Sequence, residues 1–304
     1  MDYLITGITG FAGAHLANLL HDKGHKVYGL IRRTNGMETD IRDVVKDKVY
    51  SEIKFLYSDL INLRVLQKIF KEHKFDGVFH LAAQSHPPAS FLDPLGTFES
   101  NIMGSANLIQ VITDLQPDCK LMFCSTSEVY GNVGKDGRKI QTDEQILPSN
   151  PYASSKAATD LFMQERMNNG FIKGFITRAF SHTGPRRGKN FSISSDAFQI
   201  ARMMKGMQEK KLLIGNLSTT RVVMDVRDTV NAYYLAMINP DSNKKVFNIC
   251  GNTPRKMQFF TDKLIELSGL ENVEQEIHQP FWRPHEIYYQ HGDSSEIENL
   301  TGFK

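Results

Sequence analysis

Tyr3-Leu4-Ile5-Thr6-Gly7-Ile8-Thr9-Gly10-Phe11-Ala12-Gly13 is the stretch on which the reading of this chain turns. An apolar run bends at Gly7, passes Gly10 and Gly13, and enters a segment where Leu16, Ala17, Leu19 and Leu20 recur at helical spacing. Each glycine has a separate task. Gly7 permits a tight strand-to-helix turn, Gly10 lets backbone approach a diphosphate, and Gly13 lets helix and sheet pack closely. The helix start, with Thr9, Phe11 and Ala12 around it, offers backbone N–H groups to an anion. Such spacing also describes an ordinary glycine-rich turn. Its context, directly after one strand and before a second at 25–31, points to a dinucleotide site.

Outward from this motif, strand and helix patterns alternate. Strands are expected at 53–57, 77–81, 120–124 and 175–180. Helical patterns between them run through Leu63, Leu66, Ile69 and Phe70, then from about Gly96 to Val111, and from near Pro151 through Leu161. Residues 32–52, rich in Arg, Asp and Lys, read as a solvated loop with a short helix. Helix-length connections between apolar strands give an α/β fold, a Rossmann-like doubly wound parallel sheet covered on both faces. After residue 180 the rhythm loosens into a basic loop, His182-Thr183-Gly184-Pro185-Arg186-Arg187-Gly188-Lys189, followed by a helix through Phe198, Ile200 and Met204. A helix over 227–237 and a strand over 246–250 are expected to return the chain to the main sheet, and the remainder to form short helices and loops. The expected division is a nucleotide-binding core of 1–180, with return segments near 219–251, and a smaller, interleaved substrate-binding region in 181–304.

The 304 residues suffice for a large core. A formal net charge of +2 and a charged fraction of 23% argue against a polyanion-binding surface, so no nucleic-acid partner is expected. No stretch has the length and apolarity of a membrane span, and no basic, apolar leader precedes the first strand. A cytoplasmic protein is the expectation. Cys119, Cys124 and Cys250 lack paired metal-ligand spacing and read as reduced thiols, with no metal expected.

Arg32-Arg33 directly follows the second strand. An unmodified adenosine ribose usually meets an acidic residue there, whereas two guanidiniums suit a 2′-phosphate, which favours NADP over NAD. A surface charge pair is the alternative. Asp59, after the third strand, suits an adenine amine or simply ends the strand. Tyr152-Ala153-Ser154-Ser155-Lys156 sets a phenol and an ammonium four residues apart, hence on one helix face. The nearby cation is expected to lower the tyrosine pKa, so that Tyr152 takes a proton from a substrate hydroxyl while that carbon gives up hydride. Lys156 also suits the nicotinamide ribose. Cys124-Ser125-Thr126-Ser127-Glu128-Val129-Tyr130-Gly131 stands at the end of a central strand, where open α/β sheets bind ligands. If strand geometry continues, Thr126 and Glu128 share a side. Thr126 then holds the reacting hydroxyl, and Glu128 removes a carbon-bound proton beside the new ketone. A strand-end cap is the plainer alternative.

Together these pieces resemble the extended short-chain dehydrogenase/reductase superfamily, in its nucleotide-sugar dehydratase branch. The resemblance is closer to the GDP-mannose 4,6-dehydratase family. It runs through Gly29-Leu30-Ile31-Arg32-Arg33, Leu81-Ala82-Ala83-Gln84-Ser85-His86, Ser125-Thr126-Ser127-Glu128 and Pro185-Arg186-Arg187-Gly188. Leu213-Ile214-Gly215-Asn216-Leu217 and Arg283-Pro284-His285-Glu286 extend it over almost the whole chain. The resemblance implies an internal redox reaction on GDP-mannose. Tyr152, helped by Thr126, would deprotonate the C4 hydroxyl as hydride leaves for NADP. Glu128 would remove the C5 proton and supply one as water leaves C6, and the hydride would return to C6. The product is GDP-4-keto-6-deoxy-mannose, which makes the enzyme a lyase. Cofactor contacts are implied for Leu60, Leu81, Ala82, Ala83 and His182, although His182 equally suits a packed, hydrogen-bonded role. Ser85, His86 and Ser127 would adjoin the sugar. Arg187, Arg221 and Arg283 would meet the diphosphate and ribose, Glu286 the ribose hydroxyls, and Asn216 or nearby backbone the guanine. A homodimer or homotetramer is implied, with residues 32–52 beside a neighbouring subunit's cofactor phosphate in tetramers.

There are departures. Ser181-His182-Thr183 stands where relatives have Asn-His-Glu, and Val223-Met224-Asp225 where Asp-Trp-Gly is typical. The chain stops at Thr301-Gly302-Phe303-Lys304, where relatives commonly continue into another helix. These changes keep a GDP-manno-heptose open as substrate. Two other readings stand beside the dehydratase. A GDP-4-keto-6-deoxymannose reductase would share the Tyr/Lys pair but consume NADPH and need no C5 base. A non-catalytic NADP-binding regulatory protein would need none of the redox set.

Overall fold

The computed structural model describes residues 1–32, 41–281 and 286–304, so Arg33 and Arg283 lie outside the described residues. Short runs dominated by Val, Ile, Leu, Phe and Tyr form the main sheet, as expected of strands with little access to solvent. They are β1 Asp2–Thr6, β2 Lys26–Ile31, β3 Lys54–Tyr57, β4 Gly77–His80, β5 Lys120–Thr126, β6 Gly174–Ala179 and β7 Val246–Ile249. All neighbours pair in parallel in the order β3-β2-β1-β4-β5-β6-β7. The expected return of the last strand to the main sheet is therefore observed. Strand order reverses between β1 and β4, which opens a crevice at their carboxyl ends.

Helices cover both faces. The main ones are α1 Phe11–Asp22, α2 Leu63–Glu72, α3 Gly104–Leu115, α4 Pro151–Asn168, α5 Ser192–Met204, α6 Val226–Ile238 and α7 Met257–Ser268. Alternate residues of β1 go to opposite layers, following the period of two. Ile5 joins Leu16 and Leu20 of α1 with Val230, Tyr233 and Met237 of α6. Leu4 joins Leu66 and Phe70 of α2, Leu108 and Ile112 of α3, and Met163 and Met167 of α4. Each such fully buried side chain contributes about 1.5–3 kcal/mol, so these two layers hold the crevice rigid. A separate apolar cluster joins Ile200 and Met203 of α5 to Leu212, Ile214, Leu217 and Met257.

Three local expectations are corrected. In the polar stretch 32–52 a helix forms at Asp47–Glu52, but Ile41, Val45 and Val49 are each 1% exposed and pack into the core. Their spacing of four residues was the signal that the charged composition hid. The long helix expected from Gly96 does form, its helical backbone running from Pro94 through a π-helical turn, Glu99–Met103, into α3, with a separate short helix, Pro87–Leu92, before it. Pro87 and Pro94 each open a new helical turn, as a residue without an N–H favours. Strand β5 runs on to Thr126, and a 3₁₀ turn, Ser127–Tyr130, follows at once. Strand geometry therefore does not continue to Glu128, and the two residues do not share a strand face. Finally, the last fifty residues include the twelve-residue α7 as well as shorter pieces. Among the described residues no helix is long and apolar enough to cross a membrane.

Candidate active site

The glycine-rich turn closes as its spacing predicts. Gly7 has φ +74°, and a Cβ there would lie 2.8 Å from Ala82 N and 2.9 Å from Ala82 Cα. Gly10 N–H donates to the Gly7 carbonyl at 2.9 Å. A Cβ on Gly13 would lie 2.7 Å from Ile8 Cα and press on the Gly7 carbonyl oxygen. Helix α1 starts at an N-cap glycine with no side-chain cap and no acidic residue in its first turn. Its N-terminal amides, around Thr9, Phe11 and Ala12, are thus left for an anion. Leu81 N–H donates to the Thr6 carbonyl and Ala82 N–H to Thr6 Oγ1, both at 3.2 Å, which seats Leu81-Ala82-Ala83 over the end of β1. Thr6 Oγ1 also bonds His80 Nδ1 at 2.7 Å, and His80 Nε2 bonds Ser105 Oγ at 2.7 Å. Burial pushes His80 down to about 3, so this link is neutral.

Arg32 is exposed at the end of β2. Asp59 is exposed and turns inward on its own loop, where its carboxylate accepts the Ile61 N–H at 3.1 Å. The Leu60 carbonyl accepts from Asn107 Nδ2 at 3.0 Å, which ties this loop to α3.

The candidate reacting groups gather where β5 meets α4. Asn150 caps α4, its Oδ1 accepting the Ala153 N–H at 2.8 Å, and Pro151 fills the first helical position. That cap fixes Tyr152 in the first turn, with its N–H donating to Ser90 Oγ at 3.1 Å. The Thr126 hydroxyl lies near enough to the Tyr152 phenol to draw its pKa down. Thr126 Oγ1 also accepts the Glu128 N–H at 3.3 Å, so it both caps the 3₁₀ turn and faces the tyrosine. The Glu128 carboxylate accepts from Asn150 Nδ2 at 2.8 Å. A hydroxyl, a carboxylate and a phenol thus meet although the strand does not continue.

The expected lowering of the Tyr152 pKa is corrected. Burial, then the Glu128 charge, push its phenol above the ordinary value, while the Thr126 hydroxyl and Arg187 act the other way. Burial also pushes Lys156 down to about 8, and its ammonium lies 4.2 Å from the centre of the Phe123 ring. Desolvation of both partners outweighs the attraction that helical spacing suggested.

One polar residue escaped the sequence reading. Asn101, on the π-helical turn and 1% exposed, donates through Nδ2 to Ser155 Oγ at 2.9 Å and to the Gln84 carbonyl at 3.0 Å. Its Oδ1 accepts the Gln84 N–H at 2.8 Å, and Ser155 Oγ donates to the Tyr152 carbonyl at 2.7 Å. The loop bearing Ser85 and His86 is thereby fastened to α4. An asparagine inside an apolar helical pattern was the available signal.

The basic loop lies over the start of α1. His182 stacks on Phe11, ring centres 5.7 Å apart, and its Nδ1 bonds the Phe180 carbonyl at 2.9 Å. Burial pushes it down to about 4. The Arg187 guanidinium lies 5.0 Å from the Phe11 ring centre and 3.6 Å from that of Phe191, whose edge meets His86 at 5.7 Å. Burial pushes Arg187 down to about 10. Arg186 donates to the Thr9 carbonyl at 2.9 Å and pairs with Asp43, and His15 Nε2 bonds the Pro185 carbonyl at 2.9 Å.

Elsewhere on the cleft, Arg221 Nη2 donates to the Ile287 carbonyl at 2.6 Å and lies 3.8 Å from Glu286 Oε1, so these two expected ligand contacts stand together. Asn132 ties this segment to the end of the 3₁₀ turn, bonding the Glu286 carbonyl at 2.8 Å and the Tyr288 N–H at 3.1 Å. Asn216 closes its own turn by accepting from Ser218 N–H and Oγ at 3.0 and 2.6 Å. Ser85 is exposed, whereas Ser127 is buried, its carbonyl accepting from Gln290 Nε2 at 3.4 Å. Among the described residues no group of His, Cys, Asp and Glu is arranged to hold a metal ion.

Comparison with known proteins gives a consistent result. A family model described as GDP-mannose 4,6 dehydratase matches residues 4–304. The chain is 30% identical to GDP-6-deoxy-D-mannose reductase of Pseudomonas aeruginosa, over 99% of this chain and 90% of that protein. It is 33% identical to a GDP-mannose 4,6-dehydratase of Vibrio cholerae, over 88% of this chain and 71% of that protein. The solved structure of RMD from Pseudomonas aeruginosa complexed with NADPH matches with a TM-score of 0.81 and 26% identity, covering 100% of this chain and 93% of that one.

Proposed function

The chain belongs to the GDP-mannose 4,6 dehydratase family, and from that premise we propose that it removes water from GDP-mannose to give GDP-4-keto-6-deoxy-mannose. The observation that carries this reading is the Glu128 carboxylate beside the Thr126–Tyr152 hydroxyl pair. A dehydration needs a base for a carbon-bound proton, and a simple ketone reduction does not.

NADP fits this chain. A Cβ at Gly7 or Gly13 would fill the cradle, the uncapped start of α1 suits the diphosphate, and Arg32 at the end of β2 suits the 2′-phosphate. When bound, NADP supplies a holding place for hydride between its loss from C4 and its return to C6. Tyr152 takes the C4 hydroxyl proton while Thr126 shares the hydrogen bond. Burial keeps the phenol protonated, so its own proton must first leave to solvent; the Thr126 hydroxyl and the Arg187 cation draw its pKa back toward the phenolate that then serves as the base. Glu128 then takes the C5 proton, acidified by the C4 ketone, and delivers one to the C6 oxygen as water departs.

In the same proposal, residues 1–180 with the returns near 219–251 bind NADP, and 181–304 hold the GDP-sugar through Arg187, Arg221 and Glu286. A homodimer or homotetramer accords with Leu92, Leu95, Met103 and Leu161, which expose apolar surface on neighbouring helices, and a cytoplasmic location belongs to the same proposal. The 30% identity to the Pseudomonas reductase over nearly the whole chain favours a second reading, reduction of a GDP-4-keto-6-deoxy sugar with NADPH. Mass analysis of products separates the two. Loss of one water from GDP-mannose with no net cofactor change supports dehydration. NADPH oxidation only with a 4-keto substrate refutes it. GDP-manno-heptose assayed alongside decides the sugar.

A further inference from the structure

We propose that Asn150 is a positioning residue for the dehydration step, holding the Glu128 carboxylate in register with the helix that carries Tyr152. The proposal rests on the dehydratase reading above. Asn150 is 7% exposed and uses its amide in both directions. Its Oδ1 accepts the Ala153 N–H at 2.8 Å, and its Nδ2 donates to Glu128 Oε2 at 2.8 Å. The partners fix which end is which: a backbone N–H requires the amide oxygen, and that leaves the nitrogen facing the carboxylate. Serine, threonine or aspartate would cap α4 as well, but only an amide assigns a separate atom to each bond.

The need for such a tether follows from the local fold. Strand β5 ends at Thr126, so Glu128 stands on a four-residue 3₁₀ turn instead of a strand backed by neighbours on both sides. Two of its bonds bear on its place against the reacting phenol. Its backbone N–H meets Thr126 Oγ1, whose hydroxyl neighbours Tyr152, and its carboxylate meets Asn150, two residues before Tyr152. Proton loss at C5 and hydride loss at C4 take place on adjacent carbons, so base and phenol must keep one spacing between the two steps. The C5–H bond breaks, its electron pair enters the enolate of the C4 ketone, and the proton taken by the Glu128 carboxylate then leaves with the C6 hydroxyl as water.

Asn150→Ser and Asn150→Asp test this in the full chain with NADP and GDP-mannose. Both residues retain the cap, so both variants should fold and keep a KM near wild type, with Asn150→Asp melting lower because it sets a second carboxylate against Glu128. Rapid mixing should show reduced cofactor accumulating at 340 nm, because hydride leaves C4 before the slowed step. Dehydrated product and deuterium exchange at C5 should both slow about 10- to 100-fold, the loss expected for one hydrogen bond to a charged group. If the aspartate variant unfolds, the serine variant gives the same readout. Wild-type rates of C5 exchange in a folded variant overturn the proposal, as does equal slowing of hydride transfer and elimination. A wild-type protein that never releases a dehydrated product overturns the dehydratase reading and the proposal with it.

Discussion

Gly13→Ala sets two opposed effects against each other. In an unconstrained helix interior, alanine is favoured over glycine by about 1 kcal/mol. Here the added Cβ would stand 2.7 Å from Ile8 Cα, 3.0 Å from the Gly7 carbonyl carbon, and closer still to its oxygen. All three are backbone atoms of the turn, so no rotamer change relieves the contact. Retreat of α1 is opposed by Leu16 and Leu20, both fully buried in the layer shared with α6. Overpacking of this kind costs about 1–3 kcal/mol, which leaves a net loss of up to about 2 kcal/mol after the helix gain. For a chain of this size that is a fall in Tm of up to about 4 °C. NADP affinity should fall at least about tenfold, because the same displacement moves the α1 amides that face the diphosphate. Calorimetric melting and titration with NADP measure the two effects. Gly24→Ala is the control: φ is +78° with nothing within 4 Å, so stability should drop while NADP binding holds. A Gly13→Ala protein with unchanged Tm and unchanged NADP affinity would refute the reasoning.

Tyr152→Phe should lower turnover of GDP-mannose by about 10²- to 10⁴-fold with little change in substrate affinity, and an unaltered kcat would remove Tyr152 from the proton-transfer role. Asp196→Asn should stabilise the protein near neutral pH. Asp196 is 3% exposed, accepts from Thr261 Oγ1 at 2.7 Å, and is pushed up to about 6 by burial. Its folded pKa exceeds its unfolded value, so the folded state holds the extra proton, and ionisation lowers stability as pH rises from about 4 through 6. Asparagine removes that loss, on the order of 2–3 kcal/mol at pH 7.5 and close to nothing at pH 4; equal gains at both pH values in calorimetric melts would contradict the assignment. Arg32→Glu should cut the ratio of NADP to NAD affinity about tenfold or more, and an unchanged ratio would return Arg32 to a plain surface charge.

Much of the frame could be read from residue order because the signals are local. Apolar runs at regular intervals give parallel strands, and the glycine contacts at Gly7 and Gly13 depend on a few successive residues. What escaped depends on distant partners. The burial of Ile41, Val45 and Val49 is decided by the flank of α1, not by the charges around them. The turn after Thr126 breaks the two-residue period on which the pairing of Thr126 with Glu128 was argued, yet Asn150, from another element, brings the carboxylate back beside Tyr152. Asn101 acts through Gln84 and Ser155, far apart in the sequence. The raised phenol of Tyr152 shows the same limit, since spacing gives the neighbour but not the desolvation.

The most direct test of the internal redox cycle follows a single label. GDP-mannose carrying deuterium at C4 is incubated with the protein and unlabelled NADP, and the product is mapped by mass spectrometry and NMR. The account predicts a dehydrated product with the label at C6 and an unlabelled cofactor pool. Label recovered in NADPH, or a dehydrated product without deuterium at C6, would contradict it.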